Sequence, residues 1–425
     1  MKYWRENDRN SVWHPFTAVK EDTVNVPIVG GEGVWLIDAD GKRYLDAISS
    51  WWVNLHGHCN PYIARRVAEQ VTKLEHVMFA GFTHEPAVEL ASRLLDKMPE
   101  QFTKVFYSDN GSTAVEVALK MAFQYWFNQG VPRKKVIALE DAYHGDTCGA
   151  MAVGGRGVFS KPFDPFLFEV EFIPTPVAGK ESDALKKLYQ LIEKEEVASF
   201  IYEPLVQGTA GMMVYSPQVL DKMISMCRAK GIIIIADEVM TGFGRTGTLF
   251  AMDQCQQKPD LIALSKGITG GFLPMGVTVA TEEMHRSFWA DDEVGKMKTF
   301  LHGHSYTANP LACAAACASL DLMEKDETWE SIRRIEQQHA QFAQEAAELS
   351  GVAAVRHKGV ILAIEYETGA QASYFNSLRD RLYDFFLERG IILRPLGNII
   401  YIIPPYCITD EELNSVYSAI REFKV

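Results

Sequence analysis

The segment Ile232-Ile233-Ile234-Ile235-Ala236 is apolar at every position and stops abruptly at Asp237-Glu238. A strand with one face in water alternates apolar and polar side chains. An unbroken apolar run therefore predicts a strand covered on both faces, as in a mostly parallel sheet with helices on either side. Leu261-Ile262-Ala263-Leu264 repeats the design and delivers Ser265-Lys266-Gly267. Val105–Tyr107, Val136–Leu139 and Ala198–Tyr202 read as further short strands, and helices are predicted over Pro86–Met98 and Thr113–Phe127. This alternation implies an α/β architecture. The stretch 153–180, rich in Gly, Pro and Phe, is expected to loop over the surface.

The flanks read differently. Val34–Ile37 and Arg43–Leu45 enclose Asp40-Gly41, a hairpin signal. A long charged helix is predicted over Trp329–Leu349, strands near Gly359–Glu365 and Asn398–Ile403, and a last helix over Asp410–Phe423. The expected division is a large domain over 51–325 and a C-terminal α/β domain over 326–425, with residues 1–50 completing the smaller one.

Composition narrows the function. The 425 residues carry a net charge of −13, which argues against a nucleic-acid or anionic-membrane partner. No apolar run approaches the roughly 20 residues that span a bilayer, and Met1–Arg9 has no apolar core, so no secretory leader is expected. Seven cysteines, an odd number without Cys-x-x-Cys, fit reduced thiols and a cytoplasmic location rather than disulfides or a zinc site.

Ligands of open α/β sheets bind at the carboxyl ends of the strands. Asp237 and Lys266 sit at two such ends, 29 residues apart, enough for one supersecondary unit. A carboxylate and a lysine at neighbouring strand ends suit pyridoxal phosphate: the amine condenses with the aldehyde, and the acid pairs with the ring nitrogen. Asp109-Asn110-Gly111-Ser112-Thr113 opens a helix, where free N–H groups hold phosphate. Thr113-x-x-Glu116 is also a plain capping-box pattern that needs no ligand. Tyr143-His144 follows a strand and offers an aromatic face for a flat ring. Gly242-Phe243-Gly244-Arg245-Thr246-Gly247 matches the dinucleotide pattern G-x-G-x-x-G, but the strand has already ended at Asp237 and no helix start follows. A nicotinamide site is not expected there.

Ala236-Asp237-Glu238-Val239, Thr241–Gly247 and Ser265-Lys266-Gly267 together resemble the class III aminotransferases. Trp13–Thr17, Ser49-Ser50-Trp51-Trp52, His76–Phe79, Tyr143–Thr147, Arg394-Pro395-Leu396-Gly397 and Tyr401–Tyr406 extend the likeness over nearly the whole chain, to the branch serving biotin synthesis. The resemblance implies a fold-type I pyridoxal-phosphate transferase with a large, mostly parallel domain and a smaller α/β domain. It implies that Lys266 holds pyridoxal 5'-phosphate and moves the proton, that Asp237 binds the ring nitrogen, and that Val239 and Tyr143 sandwich the ring. Gly111 and Ser112 would hold the phosphate, with His304 and Ser305 reaching it from the partner subunit of a homodimer. Trp51, Tyr143 and Gly303 would line the substrate channel, and Arg394 would pair with the far carboxylate of 8-amino-7-oxononanoate. A guanidinium suits that task because it grips carboxylate in a two-pronged fork.

The amino donor is read from fewer residues. Members using S-adenosylmethionine typically have Tyr at the place of Phe16 and Pro-Thr at His304-Ser305, whereas lysine users show Phe and His-Ser but lack Trp51. S-adenosylmethionine is the expected donor, with lysine, or another ω-aminotransferase activity, as the alternative.

Overall fold

The computed structural model describes residues 2–18, 25–131, 133–194, 196–289, 297–368 and 376–425. Its centre is a seven-stranded sheet. The strands are β1 (Phe102–Ser108), β2 (Lys135–Leu139), β3 (Glu171–Ile173), β4 (Val197–Tyr202), β5 (Ile233–Asp237), β6 (Leu261–Leu264) and β7 (Gly276–Thr281), in the spatial order β1-β7-β6-β5-β4-β2-β3. Contacts from β6 through β3 are all parallel, and β7 alone runs against its neighbours β6 and β1. Every residue of β4, β5, β6 and β7 is buried, as the apolar runs of β5 and β6 require. Helix α1 (Gly111–Asn128) buries Ala114, Val115, Val117, Ala118 and Leu119 against this sheet.

The order places two chemistries side by side. Asp237 pairs with Ala263 of β6, three residues before Lys266, and Tyr202 pairs with Ala236, so Glu203 leaves its strand beside Asp237. Three strands therefore end together, carrying Glu203, Asp237 and Lys266.

Segment 153–180 is not loop throughout, because it supplies β3 at the sheet edge. Three residues are too few to display a period, and pairing with Ile137–Leu139 is what makes them a strand. The N-terminal hairpin forms as expected, Trp35–Asp38 against Arg43–Asp46. Ile391-Ile392 then adds in parallel to Leu45-Asp46, which ties the two ends of the chain into one four-stranded sheet. Beyond it lie the helix Asp326–Ala347, a three-stranded antiparallel sheet (Val352–Lys358, Ile361–Tyr366, Ile399–Ile402) and the helix Asp410–Glu422.

The glycine-rich motif is a packing joint. Gly244 has φ +96°, and a Cβ there would stand 2.8 Å from Ile332 Cδ1 of the long helix. Arg245 is 1% exposed and donates to the carbonyls of Pro404, Trp52 and Asn54 at 2.9, 3.3 and 3.0 Å. Gly359, on the hairpin between the last two long strands, approaches the same loop.

That approach makes a test of the joint. Gly359 has φ +56°, and a Cβ would lie 2.4 Å from Thr246 C and 2.5 Å from Arg245 O. Gly359→Ala is expected to cost at least about 2 kcal/mol, from left-handed strain and from the forced opening of the joint. A lower urea midpoint with an unchanged slope would show it. An unchanged midpoint would mean the joint gives way freely.

Candidate active site

A cavity of about 410 Å³ opens where the strands end, lined among others by Trp52, Gly111, Ser112, Tyr143, Glu203, Asp237, Val239 and Lys266. Six residues singled out in the sequence (Gly111, Ser112, Tyr143, Asp237, Val239 and Lys266) thus share one hollow.

Of the two carboxylates ending β5, Asp237 faces the cavity. Its Oδ2 lies 2.6 Å from His144 Nδ1, and its Oδ1 accepts from Val239 N at 3.0 Å. Both side chains of the pair are almost completely buried, and His144 Nε2 has no partner among the described residues. A buried carboxylate so oriented can hold a cationic ring nitrogen. Glu238 is spent on structure: it accepts from Thr241 Oγ1, Ala251 N and Met252 N at 2.6, 3.1 and 2.8 Å.

Lys266 has a left-handed backbone, φ +46°, and its Nζ stands 4.4 Å from the centre of the Trp52 ring. Enclosure by protein strips water from the ammonium and lowers its pKa to about 8; Asp237 and Glu203 pull it back up, and Arg245 opposes them. Near neutrality this amine is close to releasing its proton, as a nucleophile and proton carrier requires.

The candidate anion cradle comes from α1. Asn110, not Thr113, caps this helix: its side chain accepts from Thr113 N at 3.0 Å, and Thr113 Oγ1 accepts from Asn110 N at 3.0 Å. Glu116, the expected capping partner, instead accepts from Thr147 Oγ1 and from the N–H groups of Gly149 and Ala150. Gly111 and Ser112 are the first two residues of the helix, so their N–H groups have no carbonyl of that helix to meet, and they lie at its positive end beside the cavity. The cradle has no room to fill: a Cβ on Gly111 would meet Val239 Cγ1 at 2.7 Å, and one on Gly145 would meet Ser112 Oγ at 2.1 Å. An anion site at one end, a buried carboxylate at the other, a lysine between, and Tyr143 and Val239 on the walls fit pyridoxal phosphate.

Glu203 escaped the sequence reading, although a carboxylate directly after the apolar strand Ala198–Tyr202 repeats the signal that flagged Asp237. It is 4% exposed and accepts from Tyr143 N and Gly208 N at 3.0 and 2.9 Å, so it ties the Tyr143 wall of the cavity to the loop at Gly208. Burial raises its pKa to about 7.

The remaining expected residues do not line this cavity. Arg394 stands over the Trp51 ring, Cζ 4.6 Å from its centre, and donates to Phe16 O at 3.3 Å. Phe16 meets Trp51 edge-on at 5.4 Å. These three form an aromatic and cationic cluster outside the cavity, near a second hollow of about 730 Å³ that shares Tyr143 and Gly145 with the first. Gly303 and Ser305 are exposed, and His304 Nδ1 lies 2.8 Å from Asp109 Oδ2, next to the cradle.

Trp51 and Trp52 ride on an unusual turn. Ser49, Ser50, Trp51 and Trp52 have φ of +53°, +45°, +73° and +74°. Left-handed backbone costs about 1–2 kcal/mol per non-glycine residue, so four in succession must be held from outside.

Comparison with known proteins places this geometry. The family model for aminotransferase class-III matches residues 16–423. The chain is similar to proteins named adenosylmethionine-8-amino-7-oxononanoate aminotransferase from Synechococcus elongatus (47% identical, covering 97% of each chain) and Helicobacter pylori (39% identical, 98% and 96%). The crystal structure of the protein so named from Methanocaldococcus jannaschii superposes with a TM-score of 0.93 at 38% identity over 100% of both chains. An amine transaminase from an uncultivated Pseudomonas species, solved in its PLP-bound form, reaches 0.91 at 30% identity, over 96% of this chain and 97% of that one.

The lowered pKa gives a direct check. In the cofactor-free protein, trace acetylation of Lys266, followed by peptide mass spectrometry, should reach half its maximal rate near pH 8. The ammonium is inert below that pH and the free amine reacts above it, whereas exposed lysines respond near pH 10.4. A Lys266 profile that coincides with theirs would mean the amine is not enclosed.

Proposed function

The chain belongs to the class III aminotransferases, and from that membership we propose that it transfers an amino group from S-adenosylmethionine to 8-amino-7-oxononanoate, the step of biotin synthesis named for its relatives. The observation that carries this reading is the meeting of Lys266 with the buried Asp237–His144 pair in one cavity, while Arg394 and Trp51 stand together beyond it.

The cofactor is pyridoxal 5'-phosphate, which supplies an aldehyde to carry the nitrogen and an electron-poor ring to accept electrons from the reacting carbon. The chain's residues do the rest. Gly111 and Ser112 hold the phosphate through backbone N–H groups. Asp237, oriented by His144 and Val239 N, keeps the ring nitrogen protonated by its negative charge. Tyr143 and Val239 confine the ring between them. Lys266 would hold the cofactor, and its amine, once released, would remove the proton from the donor carbon in one half-reaction and deliver a proton to the acceptor carbon in the other. Arg394 pairs with the far carboxylate of the keto acid, and Trp51 and Trp52 wall the apolar chain between.

We read the active enzyme as a homodimer with shared sites. Gly303, His304 and Ser305 lie outside the cavity of their own chain, and Leu301 and Tyr306 on the same segment are 85% and 65% exposed. A partner's cavity is the place where such a segment gains a role, with His304 and Ser305 on the phosphate. The expected domain division and a cytoplasmic location belong to the same proposal. The location is supported by seven free cysteines, three of them exposed. Among the described residues no helix is long and apolar enough to cross a membrane.

For the donor, the aromatic faces of Trp51 and Phe16 favour a sulfonium cation, since a ring face is electronegative. Phe16 lacks the hydroxyl that S-adenosylmethionine users typically place there.

Two outcomes follow. Arg394→Ala removes a charge-assisted pair worth on the order of 2–5 kcal/mol, so the apparent affinity for the keto acid should fall about 30- to 4,000-fold, with the donor half-reaction much less affected. Equal damage to both halves would give Arg394 a purely structural part. In single-turnover mixing, S-adenosylmethionine alone should bleach the visible band of the lysine-bound cofactor, and Phe16→Tyr should speed it. If lysine bleaches the band and S-adenosylmethionine does not, the donor assignment falls to lysine.

A further inference from the structure

The left-handed turn Ser49–Trp52 touches two distant functions at once. The Trp52 ring lies under the Lys266 amine at 4.4 Å, and the Trp51 ring lies under the Arg394 guanidinium at 4.6 Å. Side chains of a helical turn follow one another at about 100°, whatever its hand, so two neighbours can face two points of one wall; in a strand they would face opposite ways.

A run of four non-glycine residues in this region persists only where the surroundings over-determine it. Here a tether lies beneath it. Ser50 Oγ donates to Asp46 Oδ2 at 2.8 Å, His58 Nε2 meets the same oxygen at 2.9 Å, and Ile48 N donates to Asp46 Oδ1 at 3.2 Å. Asp46 is 0% exposed. Ser49 Oγ donates to Ile403 O at 2.7 Å, and Asn54 N closes back on Ser49 O at 3.0 Å. None of Asp46, Ser50 and His58 lines the cavity.

We propose that this turn, tethered through Ser50, Asp46 and His58, is the length gauge of the keto-acid site. By fixing Trp51 against Arg394 and Trp52 against Lys266 it sets the spacing between the two. A chain of one length then brings its carbonyl to the amine while its carboxylate meets the guanidinium. Asp46 and Ser50 are positioning residues, acting through the tryptophans. The inference rests on the reading that Arg394 takes the carboxylate.

The experiment uses the loaded enzyme, with S-adenosylmethionine as donor, and ω-carboxylated amino-keto acids one and two methylenes shorter and longer than 8-amino-7-oxononanoate. In the unmodified protein each methylene of mismatch should lower kcat/KM about 10- to 200-fold. Ser50→Ala and Asp46→Asn should flatten the series to within about threefold and raise KM for the best acceptor by a larger factor than that for S-adenosylmethionine, which meets Trp51 but spans no fixed length between Lys266 and Arg394. Acrylamide should quench tryptophan fluorescence more strongly in the variants, which a role confined to global stability would not produce in protein that remains folded by its urea transition. If Asp46→Asn fails to fold, Ser50→Ala carries the test alone. Variants that keep the length preference overturn the proposal, whether or not the quenching changes. A flat series in the unmodified protein together with an undamaged Arg394→Ala variant overturns both the gauge and the Arg394 assignment. A flat series with Arg394→Ala still impaired overturns the gauge alone.

Discussion

An ammonium group held out of water is the constraint around which this molecule is organised. Moving a charge into protein is costly unless opposite charge waits there. The Lys266 amine meets Asp237 and Glu203, whose charges favour its protonated form, at the ends of three adjacent parallel strands. The balance leaves its pKa near 8 rather than at either extreme. The neighbouring structure keeps that balance: β4, β5 and β6 buried on both faces, the His144 ring locking one Asp237 oxygen, and Glu203 tying the Tyr143 wall to the loop at Gly208. Gly208 packs tightly on these groups, since a Cβ there would lie 3.1 Å from the Trp52 ring and the indole would have to yield by a few tenths of an ångström. The lysine, the indole beside it and the carboxylate latch are therefore packed as one unit.

What was legible in the chain follows from this. Apolar strands that end in a charge advertise themselves, and Asp237 and Lys266 were found that way. Glu203 carries the same mark, with a proline rather than a second acid or a glycine loop after it. The start of α1 was located, but its cap fell one turn early, on Asn110, because Thr113-x-x-Glu116 imitates a capping box while Glu116 serves the Thr147 loop. The strand Glu171–Ile173 exists only through its pairing and left no local trace. The left-handed turn could not be read at all: Ser-Ser-Trp-Trp has no propensity for it, and the fastening groups Asp46, His58 and Ile403 come from elsewhere in the chain. The tryptophans were noticed through resemblance alone.

A second cluster, proposed above to bind the far end of the acceptor, lies apart from the lysine. Phe16, Trp51 and Arg394 come from the N-terminal segment, the start of the large sheet's region and the C-terminal region, and they meet as an aromatic pair under a guanidinium. With its carbonyl, Phe16 already occupies part of the guanidinium's donor capacity. An arriving carboxylate would compete with that carbonyl, which links acceptor binding to the position of the N-terminal segment. Phe16, the residue on which the proposed donor reading turns, thus also touches the guanidinium proposed to anchor the acceptor.

The central claim is that one amine, Lys266, carries the cofactor. Reduction of the loaded enzyme with borohydride, followed by proteolysis and mass spectrometry, tests it without relying on turnover. The structure predicts a single pyridoxyl-phosphate increment per chain, on the peptide containing Lys266. An increment on a different lysine, or none in protein whose visible band shows that it was loaded, would contradict the account.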